Sequence, residues 1–481
     1  MTIDYDSLFI GGSWVQPSSS ETIAVTSPST GEPLGQVPEA RDADADAAVT
    51  AARKAFDDPS GWAHWPPADR AAAMESLATQ FETRGKDFAR LVSSQNGMPI
   101  TISEQIEAQF AVILTRYFAE LIRSTPLEEN RPHLLGGTSV IRKDPIGVVA
   151  AIAPWNFPQS LAAFKYAPAL AAGCSVVLKP SPETVLDSML LAEVIEASDL
   201  PSGVINIVPG GREIGAHLVQ HPAIDKVSFT GSTAAGRQIA EVCGRMLRPV
   251  TLELGGKSAA IILDDADLNL DRIGADLFAA TLLNNGQTCY LCTRILAPNS
   301  RYDEVADMFA TFTSSLTVGD ALDPITQIGP MVSEQHRDRV EGFIAKGLGD
   351  GATLVTGGGR PADKDRGWFV QPTILANVDN RSTVAQEEIF GPVLSIIRYK
   401  DTDDAVRIAN ESAYGLGGTV WTTDPARGRT VAERMQTGTV GLNRYFPDPG
   451  SPFGGVKSSG IGRELGPEAL TAYQVLKTIY A

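Results

Sequence analysis

Cysteine is scarce. Four residues, Cys174, Cys243, Cys289 and Cys292, cannot staple a chain of 481 residues, which excludes a disulfide scaffold. Cys289 and Cys292 have no second cysteine pair and no nearby histidine, so no metal site is expected. No apolar run approaches the ~20 residues of a membrane span. Positive charge is also short: 40 Lys and Arg stand against 57 Asp and Glu, for a net charge of -17. Such a surface repels phosphate backbones and anionic lipid, so neither nucleic acid nor membrane is an expected partner. The opening residues Asp4 and Asp6 fall where a secretion signal needs basic and apolar residues. Together these absences predict a cytoplasmic protein.

What is present is ordinary globular material, 43% hydrophobic and 20% charged, long enough for two large domains. Short strands with turns are expected over the first forty residues. Helical texture follows at Asp42 to Phe56, Pro67 to Asn96 and Ile102 to Arg123, stopped in the second case by Gly97 and Pro99. Leu134 to Lys143, with Gly136-Gly137 inside it, reads as a separate hairpin. From Ile146 the chain alternates. Apolar runs at Ile146–Ile152, Ser175–Lys179, Val204–Val208 and Lys226–Phe229 are separated by helical stretches. Continuous apolar strands between helices predict an α/β fold with a parallel, doubly wound sheet and ligands beyond the strands' carboxyl ends. A second α/β region follows from about Gly255 to Asn443, then a Gly/Pro-rich tail.

Four features could carry chemistry. Gly286-Gln287-Thr288-Cys289 places a thiol after a turn, where a thiolate nucleophile could form. Alone, a buried structural cysteine is the commoner meaning. Leu252-Glu253-Leu254-Gly255-Gly256-Lys257 puts a carboxylate at the end of an apolar strand. Desolvation would raise its pKa towards general-base use, and an acid paired with a neighbour is the plainer alternative. Pro154-Trp155-Asn156-Phe157-Pro158 holds an amide that could donate to an oxyanion, or simply form a turn. Finally Gly210-Gly211, Gly215 and Phe229-Thr230-Gly231-Ser232-Thr233 surround a helix start suited to phosphate, although no Gly-x-Gly-x-x-Gly is present. Lys179-Pro180-Ser181 adds a cation at another strand end.

In this order, and with Glu387-Glu388-Ile389-Phe390-Gly391-Pro392 and Pro452-Phe453-Gly454-Gly455-Val456-Lys457, these motifs resemble the aldehyde dehydrogenase superfamily over nearly the whole chain. The resemblance implies a Rossmann-like cofactor domain (1–122 and 144–254), a catalytic domain (255–443) and bridging elements (123–143 and 444–481) that build a homodimer or homotetramer. It implies Cys289 as nucleophile, Asn156 as oxyanion donor and Glu253 as the base that activates water. Lys165 and Glu464 match positions that relay protons. Cofactor contacts are expected from Ile152, Pro154, Trp155, Lys179, Ser181, Gly211, Gly215, Phe229, Gly231, Ser232, Leu254, Glu388 and Phe390. The reaction implied is oxidation of an aldehyde to its acid through a cysteine thiohemiacetal and thioester, with NAD as cofactor. The family's acid three residues after the lysine is here Pro182, and Glu183 comes one place later, so measurable use of NADP is also expected.

The substrate tunnel is expected to be walled by Phe157, Ser160, Leu161, Phe164, Tyr290 and Phe453, which predicts apolar aliphatic or aromatic aldehydes. Arg444 is the residue that would redirect this to a semialdehyde bearing a carboxylate, and Arg294 is read as structural. A cofactor-independent thiol esterase using Cys289 is the alternative from another class. Retention of Glu253 argues against transfer to coenzyme A, because a readily ionised thiol needs no such base.

Overall fold

A computed structural model describes residues 2–480. Two sheets dominate it. The first has eight strands, and its central five, Val148–Ile152, Ser175–Lys179, Ile205–Ile207, Lys226–Thr230 and Val250–Glu253, run parallel. Val148–Ile152 lies between Ser175–Lys179 on one side and Lys226–Thr230 on the other. The chain builds outwards from that strand in both directions, so a crevice opens where the order reverses. The five-residue strands here are buried throughout because helices cover both faces. Val149, Ala151, Val176 and Leu178 join one apolar core, while Val148, Ala150, Ile152 and Val177 join another. Alternate side chains enter opposite layers, which is why these runs are continuously apolar.

The second sheet has seven strands, with Arg294–Pro298 at its centre and Ala259–Ile262 next to it, between Arg294–Pro298 and Gly418–Trp421. A separate three-stranded antiparallel sheet joins Glu128–Pro132, Thr138–Pro145 and Gln474–Tyr480. The remaining sheet, near the amino terminus, pairs Ile3–Asp4, Thr22–Thr26 and Pro33–Pro38.

Two expected helices are each divided. Pro67–Thr83 and Gly85–Asn96 are separate helices that meet at Arg84, where ψ of 8° leaves the helical range. Ile100–Gln105 and Phe110–Ser124 are separated by Ile106–Gln109, because the Glu107 carboxylate turns inward to another helix. Residues 444–481, expected to act together as a bridge, also divide. Gln474–Tyr480 joins the small sheet, but Gly460–Ile461 pairs antiparallel with Val250–Glu253 in the first sheet. That pairing closes an exposed sheet edge and draws Phe453–Glu464 against the strand carrying Glu253.

Candidate active site

Three loops converge. Asn156 follows the carboxyl end of Val148–Ile152, Glu253 ends its own strand, and Cys289 precedes Arg294–Pro298 of the second sheet. The loop before Cys289 is tightly specified. Asn284, Asn285 and Gly286 take φ of 50°, 61° and 78°, three consecutive left-handed residues. Asparagine tolerates that region because its amide bonds locally. Here the bonds are long-range: Asn285 donates to the Gly97 carbonyl at 2.8 Å and to the Pro330 carbonyl at 3.0 Å, and accepts from the Gly329 N–H at 2.7 Å. The Gln287 side chain accepts from the Val332 N–H at 3.0 Å. The thiol is thereby carried on a braced turn.

The Asn156 carbonyl accepts from the Asn284 amide at 2.8 Å, and the Trp155 carbonyl accepts from Asn96 at 2.6 Å. The Asn156 amide donates to the Gln287 carbonyl at 3.0 Å. An amide has two N–H donors, so one remains to act beside Cys289. Glu253 is 3% exposed, and neither carboxylate oxygen has a hydrogen-bond partner. Burial, reinforced by the Glu464 carboxylate, holds its pKa well above the ordinary value, with Lys165 pulling the other way. Behind it the Lys165 ammonium donates to Glu464 at 2.8 Å and to the Thr230 hydroxyl at 2.6 Å. Burial also pushes the Cys289 thiol up, as do the Glu388 and Glu253 charges, against N–H groups of Cys289 and Tyr290 that favour the thiolate.

Three hollows meet this centre or approach it. Pro154, Trp155, Asn156, Gly231, Ser232, Glu253, Leu254, Cys289, Glu388 and Phe390 line one of about 340 Å³. Ser232 opens the helix Thr233–Arg245 there, capping it by accepting from the Ala235 N–H at 3.3 Å. Glu388 accepts from the Gly256 N–H at 2.9 Å, and burial pushes its pKa up to about 7. The Phe390 ring stands edge-on to Trp155 at 5.3 Å, and φ of 62° turns its carbonyl to the His336 ring, 2.6 Å away.

A second cleft of about 170 Å³ is lined by Ile152, Lys179, Gly215, Phe229 and Ile239. The Lys179 amine donates to the Pro180 carbonyl at 2.7 Å and to the Gly210 carbonyl at 2.5 Å, and burial lowers its pKa to about 8. Ser181 and Gly211 flank this cleft outside its lining, and the Ser181 hydroxyl donates to Glu183 at 2.5 Å.

The third hollow is narrow, about 60 Å³, and almost wholly apolar. Phe157, Ser160, Leu161, Phe164, Tyr290 and Phe453 line it, as does Cys289. Phe164 and Phe453 meet edge to face at 6.3 Å, and so do Tyr290 and Phe453. Cys289 and Asn156 belong to both this hollow and the first, so the thiol sits where the two meet. Arg444 is exposed and lines a wider mouth with Asp276, Asp448 and Phe446. Arg294 is buried and spends its guanidinium on the carbonyls of Lys257, Ile408 and Ala409 and on Asn380, a structural tie.

Sequence reasoning missed Ile106, Phe110, Phe446 and Pro447 in the narrow hollow, and His336 and Arg339 in the first. Ile106 and Phe110 fall inside the stretch Ile102 to Arg123, whose texture reads as one continuous helix. Arg339 and His336 share a helix, Glu334–Gly349, whose sequence reads as solvated.

The sequence profile described as "Aldehyde dehydrogenase family" matches residues 14–479. Geranial dehydrogenase of Castellaniella defragrans is 57% identical over 480 residues, covering 100% of this chain and 99% of that protein. The structure of Mycobacterium tuberculosis aldehyde dehydrogenase complexed with NAD+ superposes with a TM-score of 0.96 at 48% identity, covering 100% of this chain and 99% of the other. A mutant of aldehyde dehydrogenase C from Pseudomonas syringae, solved with NAD+ and octanal, gives 0.94 at 38% identity, covering 99% and 96%.

Proposed function

We propose, from the premise that this chain belongs to the aldehyde dehydrogenase family, that it oxidises apolar aldehydes to carboxylic acids with NAD and that Cys289 is its nucleophile. The observation that carries the reading is the position of Cys289 at the junction of an apolar hollow and a larger one of mixed polar and apolar lining.

The hollows suit an extended dinucleotide. The cleft with Ile152, Val219, Phe229 and Ile239 offers an apolar slot for a flat base beside the Lys179 amine. Gly231 and Ser232 bring a helix start to a phosphate position. Glu388 and Phe390 line the end nearest the thiol. Pro154, Trp155, Gly215 and Leu254 complete the proposed contacts, with Ser181 and Gly211 at the rim. NAD, when bound, supplies the hydride acceptor.

The chain's own residues do the rest. Cys289 Sγ, as its thiolate, bonds to the aldehyde carbon, and the electron pair of the C=O moves to oxygen. The free N–H of Asn156 and the Cys289 backbone N–H hold that oxyanion. Loss of hydride leaves a thioester. Glu253, whose burial makes its carboxylate a stronger base, then takes a proton from water as the water adds to the thioester carbon, and the Cys289 thiolate departs. Lys165 and Glu464 carry that proton away behind Glu253.

Phe157, Leu161, Phe164, Tyr290 and Phe453 hold the aldehyde chain. The name of the 57% identical relative, a geranial dehydrogenase, fits this wall. NAD is the working cofactor and NADP a poorer one. Among the described residues no helix is long and apolar enough to cross a membrane, and we place the enzyme in the cytoplasm. It works as a homodimer or homotetramer.

The test is kcat/KM for a homologous series of straight-chain aldehydes, benzaldehyde and succinic semialdehyde, each with NAD and NADP. Burial of each methylene contributes ~0.8 kcal/mol, so kcat/KM should rise several-fold per carbon until the hollow is full. A preference for the semialdehyde would overturn the apolar reading and point to Arg444.

A further inference from the structure

We propose that Glu107 is a positioning residue that clamps the two walls of the aldehyde hollow together and so sets how steeply turnover depends on chain length. The proposal rests on the reading of the apolar hollow as the aldehyde site. Ile106 and Phe110 form one wall, and Phe157, Ser160, Leu161 and Phe164 the other. The first wall comes from the break between the helices Ile100–Gln105 and Phe110–Ser124. The second comes from the helix Pro158–Ala172 and the residue before it.

Glu107 stands between Ile106 and Phe110 in the chain and is fully buried. Its Oε2 accepts from the Gln159 N–H at 2.8 Å, and its Oε1 faces the Ser160 N–H at 3.4 Å. These N–H groups belong to the first turn of Pro158–Ala172, where no intrahelical acceptor exists. The helix's own cap residue, Phe157, offers no side-chain oxygen. One wall therefore supplies the cap of the other, and the helix dipole favours a carboxylate there. The Gln159 side chain is pinned as well: its amide donates to Asp187, which also accepts from Gln95 at 2.5 Å. Across the hollow, the Phe110 and Phe164 rings touch at 5.8 Å.

The chemistry at Cys289 is held separately. Asn156 is fixed by Asn284 and by Gln287, neither of which touches Glu107. Loosening the clamp should therefore spoil the fit of long chains while sparing short ones.

Glu107→Ala and Glu107→Gln would be compared with the parent on propanal through decanal at saturating NAD, with Phe164→Ala as control. Glu107→Ala should hold kcat for propanal within about twofold, while the gain in kcat/KM per carbon falls below about twofold and decanal loses about tenfold, mostly in KM. Glu107→Gln is isosteric and folds in the parent's place should the alanine variant fail. One of its atoms still accepts while its NH₂ opposes the other N–H, so its loss should be intermediate. A parental gain per carbon in Glu107→Gln overturns the proposal. So does an equal loss at every chain length, which marks a merely structural role. Phe164→Ala separates the failures. A change there with none at Glu107 sinks the clamp alone, and no change at either sinks the hollow as aldehyde site together with the clamp.

Discussion

At Cys289 the proposed nucleophile starts from an unfavourable position. Burial and two nearby carboxylates push the thiol up, and only the backbone N–H groups of Cys289 and Tyr290 oppose them. Glu253 is pushed up too, by burial first and by Glu464 next. A raised pKa keeps an acid protonated to higher pH, and both groups act in their deprotonated forms. The rate should therefore climb as pH rises above neutrality. A rate that falls there would contradict the assignment. Replacing Cys289 by serine should cost at least about a thousandfold, because an alkoxide is far harder to form than a thiolate. Glu253→Gln leaves acylation in place and removes the base for deacylation. It should give a burst of NADH close to one per active site, then little turnover. Stopped-flow absorbance distinguishes the two variants, and full steady-state turnover in either would sink the mechanism.

Elements differ in how far the sequence disclosed them. Strands such as Val148–Ile152 were legible because burial on both faces leaves an unbroken apolar run. Glu253 was legible because it ends such a strand and Asn156 because it follows one, while Cys289 stood out by the glycine turn before it. The left-handed turn Asn284-Asn285-Gly286 was not, since its bracing partners Gly97 and Pro330 are remote in the chain. The break at Ile106–Gln109 was hidden for a similar reason. Helical periodicity continues across it, and a tertiary bond from Glu107 decides the geometry. At Gly286 the turn makes a testable demand. Its φ is 78°, and a Cβ there would run into the backbone of Gly391–Pro392, 2.6 Å from the Pro392 nitrogen. Gly286→Ala adds a strain of roughly 1–3 kcal/mol three residues before the proposed nucleophile. It should lower kcat by about tenfold or more, with a drop in Tm, while a substitution at open Gly274 should do neither. Parental kcat in Gly286→Ala would show that the turn relaxes without moving Cys289.

For the molecule as a whole, the three-stranded sheet raises a question of partners. Gln474–Tyr480 pairs on one side with Thr138–Pro145, and among the described residues its other edge is open. Leu476 is 71% exposed and Tyr480 74%, and Leu134 and Leu135 at the neighbouring hairpin tip are almost bare. An open apolar edge invites pairing with another chain, and lone proteins usually protect such an edge with charge or proline. Lys477 is its one charge, and it is engaged with Asp144 at 2.8 Å. A second copy of the chain is the partner that meets this edge at the same concentration every time. The parent should therefore sediment at a multiple of 51.1 kDa. Leu476→Asp with Ile479→Asp puts two carboxylates on the edge without touching the site, and should shift the protein towards the monomer. Asn156 is fixed by Gln287 and Lys165 by Glu464 within one chain, and Cys289 and Glu253 line the same hollow of that chain. The dissociated variant should then lose Tm before it loses turnover per subunit. Sedimentation, a melting curve and an NADH assay on the same sample test this. A parent that sediments as a monomer would remove the oligomer, and a monomeric variant with no turnover would place part of the site's rigidity across the interface.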